Sequence, residues 1–373
     1  MTPPPEPSPA AAPGPRPTNG AGREPAGGRV IRIALDAMGG DYAPGPNIDG
    51  AILAVGSMAD IHVILVGDQA SVAAELDQRG YHGAAISVRH AEQVIRMDDA
   101  PSDALRRKRK SSIHAGLGMV AGGEADAFVS AGNTGAIMAV ATVTLRTIEG
   151  IDRAAIAVPL PTQTGHTVLL DAGANVVCKA SHLYQFGVMG SMYAQDMLGD
   201  QRPRVGLLSI GEEENKGNDV IREAHELLSR SALNFVGNTE AKLLYRGHAD
   251  VVVCDGFTGN IALKISESLA EMIVAFLKEM FQSSWAGKLA YLLLKKPLAA
   301  FKKRVDHSEV GGAPLLGIDG AVFISHGSSG PKSIHSALRA ARRFVAQDVN
   351  GHIRQSLAAN RELVTPKKPP QEA

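Results

Sequence analysis

Short apolar runs alternate along the chain with segments whose apolar residues recur at helical spacing. The predicted strands are the apolar runs at 30–35, 61–66, 127–130, 155–158, 167–170, 205–210, 251–254 and 321–325. Several are apolar throughout, which is typical of strands covered on both faces. The predicted helices lie at 133–147, 182–198, 218–230, 260–281 and 332–346. This alternation predicts a three-layer α/β/α fold with a mostly parallel sheet.

The two ends of the chain depart from this pattern. Residues 1–28 are rich in Pro, Ala and Gly and contain no Val, Ile, Leu or aromatic residue. Such a segment cannot bury enough apolar surface to become ordered. We therefore predict a disordered tail at 1–28, a folded domain at 29–357 and a flexible tail at 358–373.

Composition excludes several classes of protein. The formal net charge is zero, so no overall field favours nucleic acid. Cys178 and Cys254 are the two cysteines, which argues against a disulfide scaffold and fits a reducing cytoplasm. We find no secretory signal, and no apolar run approaches the roughly 20 residues that span a bilayer.

Most predicted strands end in a similar loop, where a small or acidic residue precedes glycine and then Asn, Ser or Thr. The residues of interest in these loops are Asp36, Gly39, Gly40, Ser130, Gly132, Asn133, Thr134, Asn175, Asp255, Asn260 and His326. Glycine permits close approach of the backbone, while the polar side chains cap helices or donate to an anion. One such loop is more often only a helix cap. Because parallel strands end at one edge of a sheet, the whole set favours a shared anion site.

Two charged runs add candidate chemistry. Glu212, Glu213 and Glu214 are either metal ligands or, as we prefer, a solvated loop, and nearby Lys216 can neutralise phosphate. The run 106–110 is basic and lies in a predicted helix that begins near Ser102. It is a solvated face, a phosphate contact or a docking surface for an acidic partner.

The stretch 283–304 is amphipathic, and Pro297 is expected to divide it into a helical hairpin. It interleaves lysines with aromatic and aliphatic residues. Its membrane-contact candidates are Trp285, Leu289, Leu292, Leu293, Lys295 and Lys296. This composition suits an anionic membrane surface, although an ordinary surface or subunit contact is the alternative.

Together the motifs resemble those of the acyl-carrier-protein-dependent phosphate acyltransferases of bacterial phospholipid synthesis, the PlsX family. The matching segments, in family order, are 34–41, 125–136, 211–214, 237–238, 255–260, 311–317 and 326–329. The resemblance implies a fold like that of the isocitrate and isopropylmalate dehydrogenases and the phosphotransacetylases. It also implies a homodimer attached loosely to the inner face of the cytoplasmic membrane.

The implied reaction moves a fatty acyl group from acyl carrier protein to inorganic phosphate. Its acyl phosphate product would supply a downstream, membrane-bound glycerol-3-phosphate acyltransferase. A thioester is already activated and phosphate is already a nucleophile, so positioning and oxyanion stabilisation are the main requirements. We expect no cofactor, no metal and no covalent nucleophile.

These requirements assign roles to individual residues. The predicted phosphate-binding residues are Gly39, Gly40, Ser130, Gly132, Asn133, Thr134, Asn175 and Asn238. The predicted catalytic residues are Asp36, Lys179, Lys216, Asn218, Asp255, Asn260 and His326. The predicted dock for carrier protein consists of Arg106, Arg107, Lys108, Arg109 and Lys110.

Three alternatives stay open at this stage. One is a phosphotransacetylase-like enzyme that uses short acyl-CoA. Another is a metal-dependent hydroxyacid dehydrogenase of the same fold. The last is a non-catalytic, anion-binding scaffold that recruits carrier protein to the membrane.

Overall fold

The computed structural model describes residues 29–305 and 311–359. The predicted tail at 1–28 lies outside the described residues, as do residues 360–373. Residues 358 and 359, predicted to be flexible, are the last two residues of the final helix.

Each predicted strand is present, and three further strands were missed. The strands are β1 (Ile31–Asp36), β2 (Ile61–Gly67), β3 (Ile86–His90), β4 (Ala127–Ser130), β5 (Ala155–Pro161), β6 (His166–Leu170), β7 (Arg204–Ser209), β8 (Asn234–Glu240), β9 (Val251–Val253), β10 (Ala313–Leu316) and β11 (Ala321–Ile324). The missed strands are β3, β8 and β10. β3 and β8 are the outermost strands and carry polar residues, while β10 is short and contains Pro314.

The helices are α1 (Gly45–Ser57), α2 (Gln69–Gln78), α3 (Pro101–Arg107), α4 (Ser112–Ala121), α5 (Thr134–Thr144), α6 (Ala180–Tyr193), α7 (Asp219–Ser229), α8 (Gly256–Gln282), α9 (Trp285–Val305), α10 (Pro331–Ala346) and α11 (Val349–Ala359). A π-helical turn, Ala194–Leu198, extends α6. None of the described helices is both long enough and apolar enough to cross a membrane.

Two helix boundaries differ from the predictions. The basic run does not lie wholly in a helix, because α3 ends at Arg107 and Lys108 is its C-cap. The prediction that Pro297 divides the stretch 283–304 into a hairpin was wrong, because α9 continues through Pro297. A proline removes one backbone hydrogen bond, and a long helix can survive that loss with a local bend. The hairpin consists instead of α8 and α9, joined at residues 283–284.

The strands form one sheet in the order β3-β2-β1-β4-β11-β10-β5-β6-β9-β7-β8. Pairing is parallel in both outer parts and antiparallel from β11 through β10 and β5 to β6. Three reversals make β6 run opposite to β11, so the sheet contains two half-sheets of opposite direction. The predicted single edge for all glycine loops was therefore wrong.

The register of the central strands nevertheless brings the two sets of strand ends together. Phe323 of β11 pairs with Pro314 of β10, and Leu170 of β6 pairs with Ala157 of β5. Because β10 and β5 are also paired in register, these positions lie at one level across the sheet. Each half-sheet thus ends its strands near the middle of the molecule.

Helices cover both faces of the sheet, as predicted. Along β1, Ile33 and Leu35 join the buried cluster under α1 and α10, whereas Ala34 joins the cluster under α4 and α5. In the second half-sheet, α6 and α7 cover one face. The opposite face meets α8 only near its start, where Leu263 packs on the buried side chains. Beyond Leu263, a cavity lies between α8 and the central strands.

Candidate active site

A cavity of about 900 Å³ lies where the two half-sheets meet. Its apolar floor comes from β5, β10 and β11 through Ile156, Val158, Ala313 and Ile324. One wall is a stripe of α8. The loops that follow β4, β6 and β11 close its polar end.

Loops from both half-sheets contribute to this polar end. Gly132 and Thr134 follow β4, and His326 follows β11. Gly173 follows β6, and Asn260 is the fifth residue of α8. A Cβ atom built on Gly173 would lie 3.5 Å from Asn260 Oδ1, so these two loops are in close contact. The structure therefore brings these predicted loops into one cavity.

His326 is exposed and lies at the polar end of the cavity. Its Nδ1 lies 2.8 Å from Ser328 Oγ, which orients the ring. Ser325, beside it, is 6% exposed, and its Oγ has no hydrogen-bond partner among the described residues. An imidazole at this position can donate or accept a proton near a bound ligand.

Asp36 and Ser130 form a buried pair behind the polar end. Ser130 Oγ donates to Asp36 Oδ2 at 2.7 Å and accepts from the Gly132 N–H at 3.0 Å. Burial raises the pKa of Asp36, while hydrogen bonds from Ser112, Ser130 and backbone N–H groups oppose that rise. Neither side chain lines the cavity, so their observed contacts hold the loops that do.

The glycine pair after β1 allows these loops to pack closely. A Cβ on Gly39 would lie 2.6 Å from Asp36 Oδ2 and 2.8 Å from the Gly132 nitrogen. Gly40 has a φ of +106° and lies against the Gly327 carbonyl. Any side chain at Gly39 would force the β1 and β4 loops apart. In the described structure, Gly39 and Gly40 let the loops pack against one another but do not line the cavity. Asp41, the next residue, does line it.

Asn133 and Asn175 use their amide groups within the protein. Asn133 Oδ1 caps α5 by accepting from Ala136, and its Nδ2 donates to the Met97 and Asp99 carbonyls at 2.9 Å each. Asn175 Nδ2 donates to the Ala154 carbonyl at 2.7 Å. These contacts position the loops around the cavity.

Asp171 is the organising residue of the β6 loop, and the predicted site did not include it. Its Oδ1 accepts from the Ile156, Gly173 and Ala174 N–H groups at 3.0–3.1 Å. Its Oδ2 accepts from the Asn175 N–H and Nδ2 at 2.7 and 2.9 Å. Burial raises the pKa of Asp171, and these hydrogen bonds oppose the rise. The Asp-Ala-Gly sequence after an apolar run was the available signal.

The sequence matches the family model described as "Fatty acid synthesis protein" over residues 31–352. The chain belongs to this family. A relative named phosphate acyltransferase, from Syntrophotalea carbinolica, is 50% identical over 87% of this chain and 93% of its own length. Another with that name, from Pelotomaculum thermopropionicum, is 49% identical over 88% of this chain and 95% of its own. The predicted family is thereby confirmed.

Solved structures of low sequence identity share the fold. A phosphotransacetylase from Streptococcus pyogenes has a TM-score of 0.56 at 17% identity, covering 86% of this chain and 94% of its own. The EutD phosphotransacetylase from Staphylococcus aureus has a TM-score of 0.55 at 15% identity, covering 85% and 95%. These likenesses confirm the predicted phosphotransacetylase-like α/β fold.

Other predicted residues of this fatty acid synthesis family member lie outside the cavity. Lys179 is the exposed N-cap residue of α6, and Lys216 is exposed in the loop after β7. Asn218 caps α7 by accepting from the Ile221 N–H at 3.0 Å. Both the β6 and β7 loops follow strands of the same half-sheet, so these side chains share its carboxyl edge.

Asp255 and Asn238 lie at the same edge. Asp255 caps α8 and accepts from the Thr258 N–H and hydroxyl at 2.9 and 2.8 Å. Asn238 is 2% exposed and donates to the Glu213 carbonyl at 2.7 Å. Its Oδ1 has no partner in the part of the chain that the structure describes.

The three glutamates at 212–214 and the thiol of Cys178 also lie outside the cavity. Among the described residues, no three His, Cys, Asp or Glu side chains group as metal ligands, and Glu212 lies 3.6 Å from Lys242 Nζ. Cys178 is 9% exposed. Burial first, and then the charges of Asp171 and Asp255, raise its pKa to about 11. Such a thiol is almost wholly protonated at neutral pH and is a poor nucleophile.

Sequence reasoning missed the α8 wall of the cavity. Its lining residues recur at helical spacing, and Lys264 Nζ pairs with Glu267 Oε2 at 2.8 Å. The periodicity was visible in the sequence, but only the position of α8 beside the sheet shows which stripe faces the cavity.

Proposed function

We propose that this protein transfers a fatty acyl group from the thioester of acyl carrier protein to inorganic phosphate. The observation that carries the proposal is one cavity whose polar end is built from loops of both half-sheets and whose floor is apolar. A reactive polar head and an apolar chain could occupy it together. The phosphate acyltransferase relatives, which match almost the whole folded part of the chain, support the same chemistry.

Phosphate would lie at the polar end, near Gly132, Thr134, Asn260 and His326. One phosphate oxygen attacks the thioester carbonyl, so that a C–O bond forms and the C–S bond breaks. The carrier thiol leaves with a proton, which His326 is placed to exchange. N–H and hydroxyl donors stabilise the tetrahedral oxyanion. Lys179, Lys216, Asn218 and Asn238 are candidates for charge and orientation at the adjacent edge.

The direct test is consumption of acyl-carrier thioester with and without phosphate, followed by detection of acyl phosphate. Phosphate-dependent loss of carrier-protein thioester is expected. Equal or better activity with acyl-CoA would favour the phosphotransacetylase-like alternative. Carrier binding without any thioester loss would favour a scaffold.

We also propose that acyl carrier protein docks on the basic run. Arg106 and Arg109 are exposed and show no ion pair among the described residues. The other three members are paired, namely Arg107 with Asp103, Lys108 with Asp99 and Lys110 with Glu92. The run lies near the cavity because Asn133 holds residues 97–99 beside the β4 loop.

Reversing the charge of Arg106 and Arg109 together should raise the KM for carrier substrate about tenfold and leave kcat nearly unchanged. Arg202, exposed before β7 and away from the carboxyl edge, supplies the control R202E, which should change neither constant. A fall in kcat at unchanged KM would contradict this docking surface.

We propose that α9 attaches the protein to the inner face of the cytoplasmic membrane, near the downstream glycerol-3-phosphate acyltransferase. Trp285, Leu289 and Leu292 recur at helical spacing and are 80%, 46% and 67% exposed. Lys288 and Lys295 lie beside this face, on the same side of the helix. The protein should sediment with anionic vesicles, and Leu292→Glu should release it. Equal binding to zwitterionic vesicles would count against the lysine contribution.

We propose that the protein forms a homodimer through the outer face of α8. The exposed apolar side chains on this face recur every three or four residues, at Ile265, Leu269, Met272, Phe276 and Met280. A stripe of this kind is typical of helix pairing. Light scattering should give twice the chain mass, and Phe276→Glu should give the monomer. A monomeric parent protein would refute this proposal.

A further inference from the structure

The α8 wall of the cavity is long. The residues that α8 contributes are Asn260, Leu263, Lys264, Glu267, Ala270, Glu271, Val274 and Ala275. At 1.5 Å per residue this stripe covers about 22 Å of helix. The cavity is therefore a trough that runs along α8 from near its start.

The stripe has two different edges. At 100° per residue, Leu263, Ala270 and Val274 fall within about 40° of one another. The polar members of the stripe lie on the neighbouring edge. Leu263 packs against buried side chains above the sheet, so the apolar edge faces the floor. Ile156 and Val158 form that floor on the other side of the trough.

The ends of the trough also differ in chemistry. Thr134, Asn260 and His326 surround one end, where hydroxyl, amide and imidazole groups are available. Val274 and Ala275 mark the other end and offer only apolar contacts. The ligand that fits both ends has a polar reactive head and an apolar tail.

We infer that the acyl chain of the donor lies between the apolar edge of α8 and the floor strands, and that Val274 limits its length. This inference rests on the proposed function and extends it to a specificity-determining residue. A larger side chain at Val274 would shorten the trough, and a smaller one would lengthen it.

The test compares Val274→Phe with Ile273→Phe. The two residues are neighbours on α8 and are 39% and 41% exposed, but only Val274 lines the cavity. Phosphate-dependent transfer is measured with saturated carrier thioesters of increasing chain length. V274F should reduce kcat/KM about fourfold for each methylene that no longer fits, and spare short donors. I273F should keep the parent profile, and V274A should shift the optimum to longer chains.

A binding measurement separates this inference from the proposed function. Fatty acids of increasing length displace a fluorescent fatty acid probe from the parent, V274F and I273F proteins. Weaker binding of long chains by V274F alone supports the inference, even if no transfer is detected. The absence of transfer would overturn only the proposed function. The same change in both variants, or no change in V274F, would overturn the inference. Light scattering that shows V274F alone to change the oligomeric state would overturn it too, because a second copy would then cover Val274.

Discussion

Replacing Asp171 by Asn tests whether this carboxylate holds the β6 loop in the position at which the loop lines the cavity. The substitution keeps the shape of the side chain but puts an NH₂ group where one oxygen now accepts hydrogen bonds. Oδ1 accepts from three backbone N–H groups, and Oδ2 accepts from two nitrogens of Asn175. Whichever way the amide turns, at least two donors that are partly or fully buried lose their acceptor.

Each unsatisfied buried donor costs about 1–3 kcal/mol, so D171N should lose about 2–6 kcal/mol of unfolding free energy. That is a large share of the stability of an ordinary domain. Urea denaturation followed by circular dichroism measures the loss. Acyl transfer should also fall, because Ala172 and Gly173 line the cavity.

Asp255→Asn is the matched control. Asp255 is a helix N-cap, and Asn caps helices about as well as Asp. D255N should therefore stay within about 1 kcal/mol of the parent protein. If D171N were equally mild, the hydrogen bonds assigned to Asp171 would not hold the loop.

Three further predictions concern single contacts. Ser130→Ala should cost about 2–4 kcal/mol in urea denaturation, since Asp36 loses a buried donor and the Gly132 N–H loses its acceptor; an unchanged midpoint would contradict the pair. Hydrogen bonds from Arg342 lower the pKa of Asp60. This pair, whose side chains are 28% and 36% exposed, therefore stabilises the fold above the ordinary pKa of 3.8 and loses its contribution as the pH falls through the lowered value. Asp60→Asn should thus cost about 0.5–1 kcal/mol at pH 7 and nothing in strong acid; a pH-independent cost would refute the linkage. Cys178, with a pKa of about 11, should alkylate roughly tenfold faster per pH unit from pH 8 to 10, and Cys178→Ala should retain transfer.

The sequence predicted the interior strands better than the edges. β1, β4, β6 and β9 are mostly apolar and mostly buried on both faces, so their composition alone identifies them. β3 and β8 lie at the two edges of the sheet. Both contain polar residues, so neither forms the continuous apolar run by which the interior strands were predicted. β10 was missed because four residues with a proline give no recognisable period.

Local chemistry, by contrast, did not show how side chains would be used. The sequence around Asn133 is equally consistent with a phosphate-binding residue and with a helix cap. The structure shows that Asn133 caps α5 and donates hydrogen bonds to the 97–99 loop. Lys179 and Lys216 were predicted to contact phosphate, but they lie outside the cavity. An isolated motif has the same residues in either role, and only its neighbours in space distinguish them.

The sequence by itself determined the alternating α/β pattern, the glycine loops after the strands and the family. Each of these depends on local composition or on motif order, which survive without coordinates. Only the tertiary structure decided that β10 and β5 reverse the sheet and that opposite half-sheets end at one level. It also decided which stripe of α8 faces the cavity. Strand direction and helix placement depend on pairing between distant segments, and no short window of sequence contains that information.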